Sequence, residues 1–171
     1  FKNKEDINNA LSQIKNKKYS IADISSKTYN RNPSGPFTTS TLQQTASSKL
    51  GFGASRTMQI AQRLYQGIDI EGETVGLITY MRTDGTNISK DAVYSFRDFI
   101  TKNYGDKYLP EQPLNYSGKK AKNAQEAHEA IRPTEIIRKP EEIKKYLSTD
   151  QYKLYNLIWT RSLSSQMQSA K

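Results

Sequence analysis

Cysteine is absent from the 171 residues, and histidine occurs once, at His128. That removes disulfides, thiolate metal sites and cysteine nucleophiles, and leaves no His/Cys ligand set for zinc. No stretch approaches the ~20 consecutive apolar residues of a membrane-spanning helix, so an integral membrane protein and a membrane partner are not expected. Phe1 to Asn9 carry charges and no apolar run, unlike a signal peptide. Acidic residues are the minority: 17 Asp and Glu face 26 Lys and Arg, a formal net charge of +9, with a pI near 9.6. Such an excess suits a nucleic-acid binder; the bland alternative is a merely soluble basic protein. What is present suffices for a single domain with a true core, at 35% hydrophobic and 10% aromatic residues. The chain opens on Phe1 rather than Met and stops at Lys171, which reads as a segment of a longer protein.

Periodicity organises the chain. Ile7, Ala10, Leu11 and Ile14 share one face of a helix expected over 5–18, with Glu5 and Asp6 near its positive end. Tyr19 and Ile21 begin a strand-like alternation that weakens towards Tyr29. Asn32-Pro33-Ser34-Gly35-Pro36 then breaks regular structure and marks a domain boundary. Thr38, Thr39 and Ser40 can cap a helix that carries Leu42, Ala46 and Leu50 and ends at Gly51. Ser55 can cap the next, with Met58, Ala61, Leu64 and Tyr65 on its apolar face and Gly67 at its end. Two helices joined at Gly51-Phe52-Gly53-Ala54 resemble a helix-turn-helix, a corner that ordinary helix packing also makes.

Residues 74–82 switch to an alternating period and predict a strand, broken by Asp84-Gly85. Ser89 caps a helix whose stripe is Ala92, Val93, Phe96, Phe99 and Ile100, up to Gly105. Residues 106–123 read as loop, with the basic run Lys119, Lys120 and Lys122. Gln125 to Ile131 read as a helical turn stopped at Arg132-Pro133. Ser148 and Gln151 form the capping box of a final helix facing inward with Tyr152, Tyr155, Ile158 and Trp159.

On a strand, Tyr80 and Arg82 point to one side. A tyrosine hydroxyl, with its ordinary pKa of ~10, is a weak nucleophile. A neighbouring guanidinium can stabilise the developing phenolate and grip a phosphodiester through two hydrogen bonds. Attack by the phenol on a phosphate gives an ester that conserves the energy of the broken backbone bond, as cutting and resealing a strand requires. The plainer reading is a tyrosine packed at a strand end beside a surface arginine. His128 and Arg132, four residues apart, can meet one phosphate if the turn between them is helical.

Pro36-Phe37-Thr38-Thr39-Ser40-Thr41-Leu42-Gln43-Gln44, Leu50-Gly51-Phe52 and Thr57-Met58-Gln59-Ile60-Ala61-Gln62-Arg63-Leu64-Tyr65 occur in order. Ile78-Thr79-Tyr80-Met81-Arg82-Thr83-Asp84 and Glu126-Ala127-His128-Glu129-Ala130-Ile131-Arg132-Pro133 follow. In sequence and spacing this set resembles bacterial DNA topoisomerase I, the type IA class, over essentially the whole chain. The resemblance implies that Tyr80 is the nucleophile that keeps the 5′-phosphate of single-stranded DNA, and that Arg82 positions the scissile phosphate. It implies that His128 contributes to the cleavage site, with Arg132, Thr83 and Asp84 in the DNA-binding motifs. Gly85 falls where many relatives carry serine.

The fold so implied is mainly α (α+β). Residues 36–171 would form the tyrosine-bearing mobile domain, helical with a short β element, and residues 1–35 the helix-strand tail of a neighbouring β-rich arch domain. The implied cofactor is Mg²⁺, held by an acidic toprim cluster upstream of Phe1, because a hard cation wants several oxygen ligands. Asp69, Glu71 and Glu73 read instead as a solvated turn, so no metal ligand is assigned within the chain. The implied partners are DNA, single-stranded where it is cut, and the rest of the same polypeptide, in a cytoplasmic, nucleoid-associated monomer. A non-catalytic helix-turn-helix module over 38–66, reading duplex DNA, is the alternative; a structural interaction domain with incidental charge is a third.

Overall fold

The computed structural model describes residues 1–15, 17–116 and 129–171. Local signals account for most of its helices. In α1 (Lys4–Ile14), the Asn3 side chain accepts the Asp6 amide. The helix ends at Ile14, four residues before the expected stop, because nothing beyond it returns to the apolar face. That face meets no core: Ile7, Leu11 and Ile14 are all exposed. Residues 18–30 form no strand. Their alternation lapses after Ile21 and no neighbouring edge offers them a ladder, the condition a strand needs. One bridge, Arg31 with Ala170, ties this stretch to the far end of the chain.

Full burial begins at Pro36 and Phe37. Helix α2 (Thr39–Leu50) starts in a capping box between Thr38 and Thr41 and ends at Gly51 in the left-handed region, φ 69°. Helix α3 (Ala54–Gln66) starts earlier than Ser55 would place it. Gly53 is its N-cap residue, without a side-chain cap, and its carbonyl accepts both the Thr57 amide and hydroxyl. Its buried row is Thr57, Ile60, Ala61 and Leu64, whereas Tyr65 turns outward.

A two-stranded antiparallel hairpin follows, β1 (Ile68–Ile70) with β2 (Glu73–Val75), in register Ile68↔Val75. The expected strand over 74–82 therefore ends at Val75. Beyond it the chain bends at Thr79 and Met81 and, among the described residues, makes one bridge, Ile78 with Pro133, instead of a ladder. Helix α4 (Lys90–Tyr104) carries the expected Ser89 cap and buries Ala92, Phe96, Phe99 and Ile100. A single 3₁₀ turn at 106–108 follows it, then the short α5 (Pro140–Ile143) and a second 3₁₀ turn at 144–146, none of which the pattern predicted. Helix α6 (Thr149–Ser164) has the Ser148–Gln151 capping box and buries Leu154, Tyr155, Ile158, Trp159 and Leu163.

The core lies where α2 and α3 pack against α6. Trp159 meets Phe99 edge-on at 5.6 Å and donates from its indole nitrogen to the Ile136 carbonyl at 2.9 Å. Tyr155 donates to the Arg138 carbonyl at 2.8 Å. Arg161 lies over the Phe37 ring at 4.6 Å. Full burial of side chains of this size is worth about 1.5–3 kcal/mol each, and buried polar tips that find partners keep that gain.

Candidate active site

Three stretches far apart in sequence converge on residues 76–83. The Leu77 amide donates to the Leu64 carbonyl at the end of α3, at 2.8 Å. Gly76 allows this approach: a Cβ there would stand 2.9 Å from the Tyr65 carbonyl oxygen. From the other side, the Thr134 amide donates to the Leu77 carbonyl (3.0 Å), its hydroxyl to the Gly76 carbonyl (2.8 Å), and the Thr79 amide to the Arg132 carbonyl (2.9 Å). The Thr79 hydroxyl donates to the Ala130 carbonyl at 2.7 Å and accepts the Arg132 amide at 3.0 Å. The Ile131 amide in turn donates to the Phe37 carbonyl at 2.8 Å. Residues 129–133 are thus extended rather than helical. Their backbone groups are committed to residues 37, 79 and 87, and the position before Pro133 disfavours helix.

Thr39, at the start of α2, fastens the other end of the segment. Its hydroxyl donates to the Met81 carbonyl (2.7 Å) and lies 3.1 Å from the Thr83 carbonyl. The same oxygen accepts the Thr83 amide at 2.8 Å, and the Thr39 amide donates to the Thr83 carbonyl at 2.9 Å. Between these anchors burial alternates with the extended period: Tyr80, Arg82 and Asp84 are exposed, Met81 and Thr83 buried. Tyr80 is 39% exposed, and its ring meets that of Tyr65 edge-on at 5.4 Å and 67°.

Arg82, Thr83 and Asp84 line an open cleft of about 450 Å³ with Thr38, Thr39 and Ser40, the first turn of α2. One guanidinium, three hydroxyl-bearing residues on that turn and the positive end of a 12-residue helix favour an anion there, against the single charge of Asp84.

Arg132 is placed differently. Its side chain is only 12% exposed and pairs with Glu129 at 2.6 Å, while Glu129 accepts the Ser89 amide at 2.7 Å. It therefore braces the start of α4 rather than opening into the cleft. His128, the rest of Gln125 to Ala127 and the lysines 119, 120 and 122 lie outside the described residues. No group of three or more metal-ligating side chains gathers among the described residues. Asp69 accepts the Gly72 amide, and Glu71 accepts the Tyr146 hydroxyl and faces Lys145 at 3.9 Å. With these carboxylates turned to an amide, a hydroxyl and a lysine, that acidic turn does not fit a hard divalent cation.

Sequence reasoning passed over two residues of this site. Thr39 appears there only as one of three cap candidates, and no local signal shows that its hydroxyl grips a loop 42 residues away. Helical periodicity puts Tyr65 on the apolar face of α3, whereas its ring is 41% exposed; its place one residue past Leu64, just before the hairpin, is the one local hint.

The DNA topoisomerase family model matches residues 1–171. The chain belongs to the DNA topoisomerase family. DNA topoisomerase 1 of Rickettsia felis is 53% identical over 98% of the chain, which covers 21% of that relative. The Xylella fastidiosa protein of the same name is 51% identical over 92% of the chain and 19% of its own length. The structure of full-length topoisomerase I from Thermotoga maritima matches with a TM-score of 0.71 and 47% identity, over 82% of the chain and 22% of that structure. The chain thus spans about a fifth of the topoisomerases it matches. Within the described residues its fold is mainly α with one small hairpin, and Tyr80 stands five residues beyond that hairpin.

Proposed function

We propose that this chain is the tyrosine-bearing part of a type IA DNA topoisomerase that relaxes negatively supercoiled DNA without ATP. Residues 36–171 form the mobile domain in this reading, and residues 1–35 lead into it from an arch domain. The supporting observation is the alternation at 80–84, which leaves Tyr80 and Arg82 exposed on either side of the buried Met81, with Arg82 lining the cleft at the first turn of α2.

The Tyr80 phenolic oxygen attacks a phosphorus of single-stranded DNA. The phenol gives up its proton, the new O–P bond replaces the P–O3′ bond, the 3′ oxygen leaves and takes up one proton in exchange, and the 5′ end stays as a phosphotyrosine. Arg82 holds the non-bridging oxygens, and the α2 terminus adds favourable field without competing for protons. His128 joins the set on the strength of its motif alone. Another strand passes while this domain is lifted, and the 3′-hydroxyl reverses the step. Mg²⁺, bound by acidic residues outside this chain, belongs to the same reading, so the chain by itself does not relax plasmid DNA.

In the full-length enzyme, Tyr80→Phe is expected to abolish the covalent DNA adduct, trapped by denaturant, while single-stranded DNA binding survives. Retained relaxation by that variant would refute the assignment.

A further inference from the structure

We propose that Tyr65 is a positioning residue for Tyr80, an inference that rests on Tyr80 being the nucleophile. Tyr80 lies outside the helices and the hairpin, between bends at Thr79 and Met81, and is 39% exposed, so side-chain neighbours rather than a ladder select its rotamer. Tyr65 supplies one: its ring stands edge-on to that of Tyr80, with centroids 5.4 Å apart and planes at 67°. Such a contact has a preferred geometry, set by the positive edge and negative face of the two rings, so it orients as well as attracts.

The platform under the contact is rigid. Tyr65 occupies the last turn of α3, whose Leu64 is fully buried and whose Leu64 carbonyl accepts the Leu77 amide. Gly76 lies against the Tyr65 carbonyl with no room for a side chain. Helix end and extended segment are therefore held in one register, and the two rings meet as a consequence. Tyr65 itself is 41% exposed, far more than packing a helix requires. An exposed aromatic in ring contact with a reactive phenol restricts the directions from which that phenol can approach a strand.

The effect belongs to the ring and not to the Tyr65 hydroxyl. In the full-length enzyme, Tyr65→Phe should cleave a single-stranded oligonucleotide at a rate within about twofold of the unmodified protein. Tyr65→Ala and Tyr65→Leu should slow single-turnover cleavage by about 3- to 10-fold, the range such ring pairs support. Oligonucleotide Kd and melting temperature should stay unchanged in the Leu variant, which keeps apolar bulk and guards against simple misfolding of the Ala variant. Native cleavage rates in Tyr65→Leu, or a Tyr65→Phe variant as slow as Tyr65→Ala, would overturn the inference. Tyr80→Phe run alongside separates the two readings: an adduct in that variant removes the nucleophile assignment itself, whereas its absence beside a fast Tyr65→Leu removes only the role of Tyr65.

Discussion

Replacing Thr39 by valine keeps shape and removes one oxygen, and the bonds of that oxygen set the expected cost. The hydroxyl donates to the Met81 carbonyl at 2.7 Å and accepts at 2.8 Å the amide of Thr83, itself only 7% exposed. Each net hydrogen bond is worth about 0.5–1.5 kcal/mol, and a buried amide that loses its acceptor costs about 1–3 kcal/mol. The direct Thr39 amide bond to the Thr83 carbonyl survives the substitution, so Thr39→Val should cost about 2–3 kcal/mol overall. For a chain of this length that corresponds to a fall in melting temperature of about 4–12 °C. Thr39→Ser keeps the oxygen and should stay within ~1 kcal/mol of the parent. Thermal melts of the 171-residue chain followed by circular dichroism read both. A valine variant melting within 2 °C of the parent on the scale of that estimate, or a serine variant as weak as valine, would refute the reasoning. Because the two gripped carbonyls flank Arg82, the valine variant of the full-length enzyme should also cleave DNA more slowly.

Gly76→Ala pushes a Cβ to 2.9 Å from a backbone oxygen, whereas Gly51→Ala meets only open space but keeps φ at 69°. Urea titration should therefore give about 1–3 kcal/mol of destabilisation at Gly76 from overpacking, and about 1 kcal/mol at Gly51 from the left-handed backbone alone. The fully buried Tyr155 hydroxyl has its pKa pushed up by desolvation, against a smaller lowering by Arg138. Its folded pKa lies above the unfolded ~10, so its contribution to stability is complete below pH 10 and is lost as pH rises further. Denaturation midpoints above pH 10 should fall less steeply in Tyr155→Phe, by up to ~1.4 kcal/mol per pH unit; parallel slopes would remove Tyr155 from the account.

Elements whose instructions lie within a few residues could be read from the chain itself. The Thr38 and Ser148 caps, the Ser89 cap and the glycine stops at Gly51, Gly67 and Gly105 all sit where pattern and side-chain chemistry place them. Period two over 74–82 matches the burial pattern only from Tyr80 onward, since Leu77 and Ile78 are both buried, and no ladder forms past Val75 because the one bridge of that stretch is Ile78 with Pro133. Residues 129–131 look helical by composition, yet residues 37, 79 and 87 claim their backbone groups, a decision made fifty residues away. Tyr65 and Ile60 exchange places for a related reason. A helix face is about 100° wide, and only the neighbouring α6 decides which edge of it is covered. At the site, the local pattern supplied Tyr80 and Arg82, while Thr39 and Tyr65 emerge only from tertiary contacts.

The staples between Thr79 and residues 130–132 carry an implication for synthesis. During translation, at about 5–20 residues per second, Tyr80 leaves the ribosome several seconds before the strand that will brace it. Helices α2 and α3 can form by then and hold the two ends of the segment through Leu64 and Thr39, but the bonds to the Gly76 and Leu77 carbonyls and to Thr79 wait for residues 130–134. A chain interrupted near residue 120 would hold this segment only at its ends, through Leu64 and Thr39, whereas one that reaches Thr134 also pins its middle at Thr79.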